Sequence, residues 1–215
     1  VNGAVRIFGR LPALSLGANT NGIISEHAPL KITPASVGLP RGGRFIDGAA
    51  GKTHLLLVDN LGGVWGCGNN TLGQIGLVRL PRLYPARAHA QPVSNEVEEF
   101  TRINAGWPKD AKIVAVSAGH TFSLFLTDAG EVYAAGSSEE GQLGNGKTGE
   151  RLHKAGKVVF DVENPPRLVQ GFKDKRIVKI ASGNQHSLAL DEEGYVYSWG
   201  YNGYCRLGLG DQKSR

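Results

Sequence analysis

Methionine is absent throughout, at position 1 as elsewhere, so the expectation is a processed, excised or partial chain. Cysteine is scarce, with only Cys67 and Cys205. Two thiols in different registers of the sequence do not make a disulfide scaffold, which favours a reducing compartment, nuclear or cytoplasmic. No apolar run approaches the ~20 residues of a membrane helix. Val1 to Gly17 has neither a basic start nor a continuous apolar core, so it does not read as a signal peptide. The net charge of +5 permits acidic partners without requiring them. Glycine is abundant, at 31 of 215 residues. That is about twice the usual ~7%. It has no three-residue period, which excludes collagen and suits tight turns between short strands.

The glycines form a repeat. Anchors at Gly51, Gly119 and Gly183 open Ala50-Gly51-Lys52-Thr53-His54-Leu55, Ala118-Gly119-His120-Thr121-Phe122-Ser123 and Ser182-Gly183-Asn184-Gln185-His186-Ser187. Eleven residues on stand Gly62, Gly130 and Gly194; seventeen on, Gly68, Gly136 and Gly200; twenty-five on, Gly76, Gly144 and Gly208. A partial fourth copy opens the chain at Ile7-Phe8-Gly9 and Gly17. These frames divide the chain into the end of a repeat (1–17), repeats at 18–76, 77–144 and 145–208, and the start of a further connection (209–215). Insertions are read at 78–112 and 147–176.

Within a unit, Ile113–Ala118 is β-branched and apolar and reads as a buried strand. Thr121–Leu126 reads as a second strand, Thr127-Asp128-Ala129-Gly130 as a turn, and Glu131–Ala135 as a third strand. Gly63–Cys67 and Tyr195–Trp199 alternate aromatic with small residues, as packing between stacked sheets requires. A small antiparallel sheet cannot bury both faces alone, so the units must stack into a propeller or solenoid.

The combination Ala-Gly-x-x-His-(Ser)-Leu, Gly-x-Val-aromatic and Gly-Gln-Leu-Gly resembles the regulator-of-chromosome-condensation (RCC) repeat. Tyr201-Asn202-Gly203-Tyr204-Cys205-Arg206-Leu207-Gly208, with Arg206 in place of glutamine, resembles the branch that holds the telophase-disk protein. The resemblance implies an all-β fold of four-stranded blades, seven to a closed propeller. Residues 1–215 then form a single partial β-propeller of three full glycine frameworks and one partial one. Ring closure is expected from missing blades or from another copy, since open blade faces invite aggregation. The resemblance also implies a protein partner, with nucleotide exchange on a small GTPase, or docking to chromatin or nucleic acid. A scaffold within a larger regulator is the third reading.

The repeat accounts for several residues that would otherwise suggest chemistry. His54, His120 and His186 could ligate metal, but repeat-equivalent residues sit in different blades about 10 Å or more apart. They read as structural tethers, and no metal or other cofactor is expected. Gly141 to Thr148 matches the phosphate-loop pattern G-x4-G-K-[ST]. Its glycines already belong to the repeat, and Gly73 and Gly76 hold the same places without Lys-Thr, so the repeat reading takes precedence. Asn69-Asn70-Thr71, a glycosylation sequon inside the repeat, is read as incidental. No nucleophile–base set or paired carboxylates assemble, so side-chain catalysis is not expected.

Lys147, Arg151, Lys154 and Lys157 would form a basic stripe for a partner if Glu150–Ala155 were helical, the alternative being a solvated insertion. Residues 78–112 carry Pro81, Pro85, Pro92 and Pro108 with Tyr84, Phe100 and Trp107. Arg79, Arg82 and Arg87 at the start of this span are answered by Glu96, Glu98 and Glu99. Trp107 is a candidate partner contact and a candidate packing residue alike.

Overall fold

The computed structural model describes residues 4–7, 9–10, 23–24, 30–78, 96–147, 150–152 and 158–215. Its strands are β1 (Val5–Ile7), β2 (Gly9–Arg10), β3 (Ile23–Ile24), β4 (Leu30–Ile32), β5 (Phe45–Ala50), β6 (His54–Asp59), β7 (Val64–Asn69), β8 (Glu96–Ile103) and β9 (Ile113–Ala118). They continue as β10 (Phe122–Thr127), β11 (Val132–Ser137), β12 (Glu150–Leu152), β13 (Val158–Phe160), β14 (Val162–Leu168), β15 (Ile177–Ser182), β16 (His186–Asp191) and β17 (Val196–Gly200).

Two sheets are complete four-stranded antiparallel meanders, β5-β6-β7-β8 and β9-β10-β11-β14. A third, β15-β16-β17, has three strands. At the start, Val5 opposite Ile32 and Gly9 opposite Ile24 reproduce Val64 opposite Ile103 and Gly68 opposite Val97. β1 and β2 therefore correspond to the third strand of a blade, and β3 and β4, which lie within 18–76, to its fourth. The fourth strands of the complete blades, β8 and β14, lie inside the spans 78–112 and 147–176 that the glycine frames set aside as insertions.

The first strands pack side by side, β5 on β9 and β9 on β15, which puts them on the inner side of the array. Each hydrophobic core is a seam between two blades rather than the interior of one. Leu56, Val58, Val64 and Ile75 of one blade meet Ile113, Phe125, Tyr133 and Ala135 of the next. Phe122, Leu124, Leu126 and Leu143 then meet Ile177, Ile180, Ala189 and Trp199. The two-residue period of β10 sends Phe125 into one seam and Phe122 and Leu124 into the other, so all six of its residues are buried. Each fully buried Leu or Phe contributes about 1.5–3 kcal/mol. Stacking is thus what stabilises a sheet that is marginal alone.

Polar contacts repeat at each seam. The Gly62 and Gly130 carbonyls accept from the Ile113 and Ile177 amides of the following blade, at 3.2 and 3.0 Å. Ser123 Oγ donates to the Gln74 carbonyl at 2.6 Å, and Ser187 Oγ to the Gln142 carbonyl at 2.8 Å. Arg176 reaches back to the Ala129 and Asp128 carbonyls at 3.0 and 2.7 Å. The hairpin turns are tied from inside: buried Asp59 accepts from the Leu61 and Gly63 amides and from Trp65 Nε1, and Asp191 accepts from the Tyr195 amide and the Tyr197 hydroxyl.

Candidate interaction surface

The repeat explains the histidines it contains. His54 Nε2 lies 2.8 Å from Ser123 Oγ across a seam. That hydroxyl gives its one proton to the Gln74 carbonyl, so it accepts from His54 Nε2–H. Nδ1 is then a buried lone pair without a donor, and burial pushes the His54 pKa down to about 4. Phe122 and His186 hold the place of His54 in the next two units, and all three rings fold over their anchor glycines Gly51, Gly119 and Gly183. His120, two residues earlier in its own unit, is half-buried and ties the seam through its amide, which donates to the Asn184 carbonyl at 2.9 Å. Among the described residues no group of three His, Cys, Asp or Glu could hold a metal ion. Cys67 is fully buried, which raises its thiol to about 12, and neither cysteine is in a disulfide.

Gly141–Gly144 is a tight turn, its Gly144 amide on the Gly141 carbonyl at 3.0 Å, and strand β12 rather than a helix follows it. Lys147 Nζ is 3.6 Å from Glu163 and 3.9 Å from Asp161. Glu163 also takes Asn145 Nδ2 at 3.0 Å and Arg167 Nε at 2.8 Å. The lysine of the apparent phosphate loop is held by carboxylates at the root of the following segment.

That segment is a β-hairpin, and the conditional helix over Glu150–Ala155 is corrected. Glu150, Arg151 and Leu152 pair with Phe160, Val159 and Val158. The run Val158-Val159-Phe160 favours strand, and Gly149 and Gly156 interrupt a helix. Arg151 is therefore in a strand, without the four-residue stripe a helix would make. Lys154 and Lys157 lie outside the described residues. Among the described residues, β12 and β13 pair with each other and with no blade strand.

Trp107 packs its ring 5.3 Å from Phe125 and 6.3 Å from Tyr133, against the core of the first complete seam. Such aromatic pairs contribute about 0.5–1.5 kcal/mol beyond their buried area. Its ring serves packing.

Sequence reasoning did not single out the conformation of the turn Tyr201–Arg206. Tyr204 is 87% exposed. Tyr204 and Cys205 both have left-handed backbones, φ +62° and +55°. Arg206 lies 4.4 Å from the Tyr201 ring and 5.9 Å from the Tyr204 ring. Arg206 and Cys205 replace the Gln and Gly of the other units (Gln74 and Gln142, Gly73 and Gly141), which was the available signal. Cys205→Gly should stabilise the protein by about 1 kcal/mol, because glycine adopts positive φ without a Cβ penalty. A higher urea midpoint with unchanged slope checks it.

Residues 129–190 match the family described as the Regulator of chromosome condensation (RCC1) repeat, and residues 113–142 and 177–204 match a second description of the same repeat. The Xenopus laevis Protein RCC2 homolog is 30% identical over 212 residues, covering 93% of this chain and 38% of that protein. The chain thus spans little more than a third of that relative. The crystal structure of human WBSCR16 superposes with a TM-score of 0.63 at 24% identity, covering 98% of this chain and 46% of the other. That of Prp20p from Saccharomyces cerevisiae gives 0.53 at 20% identity, with 99% and 57% covered. With repeat, blades and seams in agreement, the chain belongs to the RCC1 repeat family and forms part of an RCC-type β-propeller.

Proposed function

We propose that this propeller segment binds a protein partner through the hairpin at 147–160, and that the activity served is guanine-nucleotide exchange on a small GTPase. The observation that carries the reading is the hairpin itself. Among the described residues it pairs with no blade, and 148–157 holds Arg151, Lys154 and Lys157 against the single acid Glu150, while Lys147 is paired at its root with Glu163 and Asp161. A ribbon that adds nothing to a blade's hydrogen bonding is free to meet another surface. Exchange needs no nucleophile or general base from this chain. A factor that binds the nucleotide-free GTPase more tightly than the loaded one shifts the population toward release.

Chromatin docking is the second reading, supported by the same excess of cations and by the description of Prp20p as binding Gsp1p and histones. The two readings separate by salt. A phosphate-binding surface neutralising several phosphates loses affinity steeply, with a log–log slope of about −0.9 per phosphate. The test replaces 148–160 by a short Gly-Ser linker in the natural-length protein. Capture of a small GTPase after Mg²⁺ chelation should fall about ten-fold or more, with thermal stability unchanged. Undiminished capture by the hairpin-less protein contradicts the assignment.

A further inference from the structure

Two strands that pair only with each other are marginally stable in water. Among the described residues, β12 and β13 are such a pair. What holds their ends together therefore decides whether the hairpin forms. The chain enters it from Lys147 and leaves it at Asp161, and both ends meet at one group of side chains.

Asn145 uses both ends of its side-chain amide there. Its Nδ2 donates to Glu163 Oε1 at 3.0 Å, and its Oδ1 accepts from the Lys147 amide at 3.1 Å. The Lys147 ammonium lies 3.6 Å from Glu163 Oε1 and 3.9 Å from Asp161 Oδ2. Arg167 Nε holds Glu163 Oε2 at 2.8 Å. The group is mounted on rigid structure. Glu163 lies opposite Gly136 in the sheet. The Asp161 carbonyl accepts from the Ser138 amide and hydroxyl, both at 2.9 Å. Asn164 Nδ2 donates to the Leu77 carbonyl of the preceding unit at 3.0 Å.

A blade does not need this group. Leu77 follows Gly76 as Asn145 follows Gly144. Val97 lies opposite Gly68 as Glu163 lies opposite Gly136. Leu77 and Val97 pack on the core of the first complete seam. Two apolar residues thus serve at these places in one unit, and an amide and a carboxylate stand there in the unit from which the hairpin springs. Glu163 is only 9% exposed. Burying a carboxylate is costly unless it is paired and hydrogen-bonded, so packing alone does not account for it.

We propose that Glu163, Asn145 and Lys147 form a latch that closes the root of the hairpin and keeps β12 paired with β13. Holding the two ends of a segment together removes part of the loop-closure entropy that pairing within it must overcome. The three are positioning residues. Lys147 acts at the root through Glu163, and Arg151, Lys154 and Lys157 are left to face a partner. The functional meaning of the latch rests on the reading of the hairpin as the contact surface, and it deepens that reading by naming what orders the ribbon before a partner arrives.

The test is hydrogen–deuterium exchange of the free, natural-length protein. Asn145→Leu combined with Glu163→Val installs the residues of the preceding unit. Amides of 150–152 and 158–160 should then exchange about five-fold faster, the upper range for loss of a partly exposed ion pair. Exchange in β14 and the urea midpoint should stay at wild-type values. Lys147→Met should speed exchange at the same amides, and Lys147→Arg, which keeps the charge, should behave as wild type. Unchanged exchange of the hairpin amides in the double variant would overturn the proposal. So would an equal acceleration in β14, or a Lys147→Arg protein as fast as Lys147→Met. The measurement contains no GTPase, so it can fail while the partner assignment stands, and hold while that assignment falls.

Discussion

Gly136→Ala should destabilise the protein by about 4 kcal/mol, a large share of the ~5–15 kcal/mol that holds a domain folded. Gly136 has φ +116°, where a side chain costs ~1–3 kcal/mol in strain. The new Cβ would also collide with the Thr121 carbonyl oxygen and lie 2.6 Å from Phe122 Cα. The oxygen cannot retreat cheaply, because the Ser137 amide holds it at 3.0 Å. Gly136 marks the bulge at which β11 departs from β14, so relaxation there would pull on the blade's outer strand. Gly171→Ala is the control: its φ is +103° but nothing lies within 4 Å of the added Cβ. Strain alone should then cost about 1–2 kcal/mol. Urea midpoints of the two variants give the comparison, and similar losses would show that the Thr121 contact does not matter.

Acid should weaken the fold through His54. Its pKa is held near 4 by burial, against 6.5 in an exposed chain. Between those values the unfolded chain binds a proton that the folded one does not. Stability therefore falls as pH drops from about 6.5 to about 4 and levels below, by about 3 kcal/mol in all. The physical source is Nδ1, which has no partner in the seam. His54→Phe should remove most of this slope without loss at neutral pH. Phenylalanine is tolerated at the equivalent place, where Phe122 is fully buried and Ser187 Oγ still donates to the Gln142 carbonyl. His120 and His186 are also lowered, by burial first, so a smaller slope of the same sign should remain. Chemical denaturation of wild type and His54→Phe across pH 4–7 checks the difference, and identical slopes would refute it.

The first three strands of each blade were legible because they obey strong local rules. Ile113–Ala118 is β-branched, β10 alternates between two buried faces, and the turns between second and third strands carry glycines that the next blade's backbone crosses. The fourth strands obey weaker ones. β8 reads Glu-Val-Glu-Glu-Phe-Thr-Arg-Ile, and β14 contains Pro165 and Pro166. Charges and proline argue against a strand until one edge is known to be unpaired, where they serve to block further pairing. The outer position of these strands in the sheet is a tertiary fact that composition does not carry.

The candidate surface was legible only in part. The cations of 147–157 were visible, but their spacing suggested a helical stripe or a solvated insertion, and the strand pairing of Val158-Val159-Phe160 with Glu150–Leu152 was not read. For Trp107 the sequence left contact and packing open, because Phe125 and Tyr133, which its ring packs on, are distant in sequence. At Arg206 the substitution was plain but its effect was not, because the glutamines of the other units accept from the turn and an arginine cannot.

The polar residues of the repeat hold the blades together, while the hairpin is the surface proposed to meet a partner. Hydrogen–deuterium exchange of the natural-length protein, free and mixed with a small GTPase stripped of nucleotide, is the sharpest measurement of this. Protection on binding is expected at 147–160, with little change at the opposite turns 59–63, 127–131 and 191–195. Protection confined to those opposite turns, with none at 147–160, would contradict it.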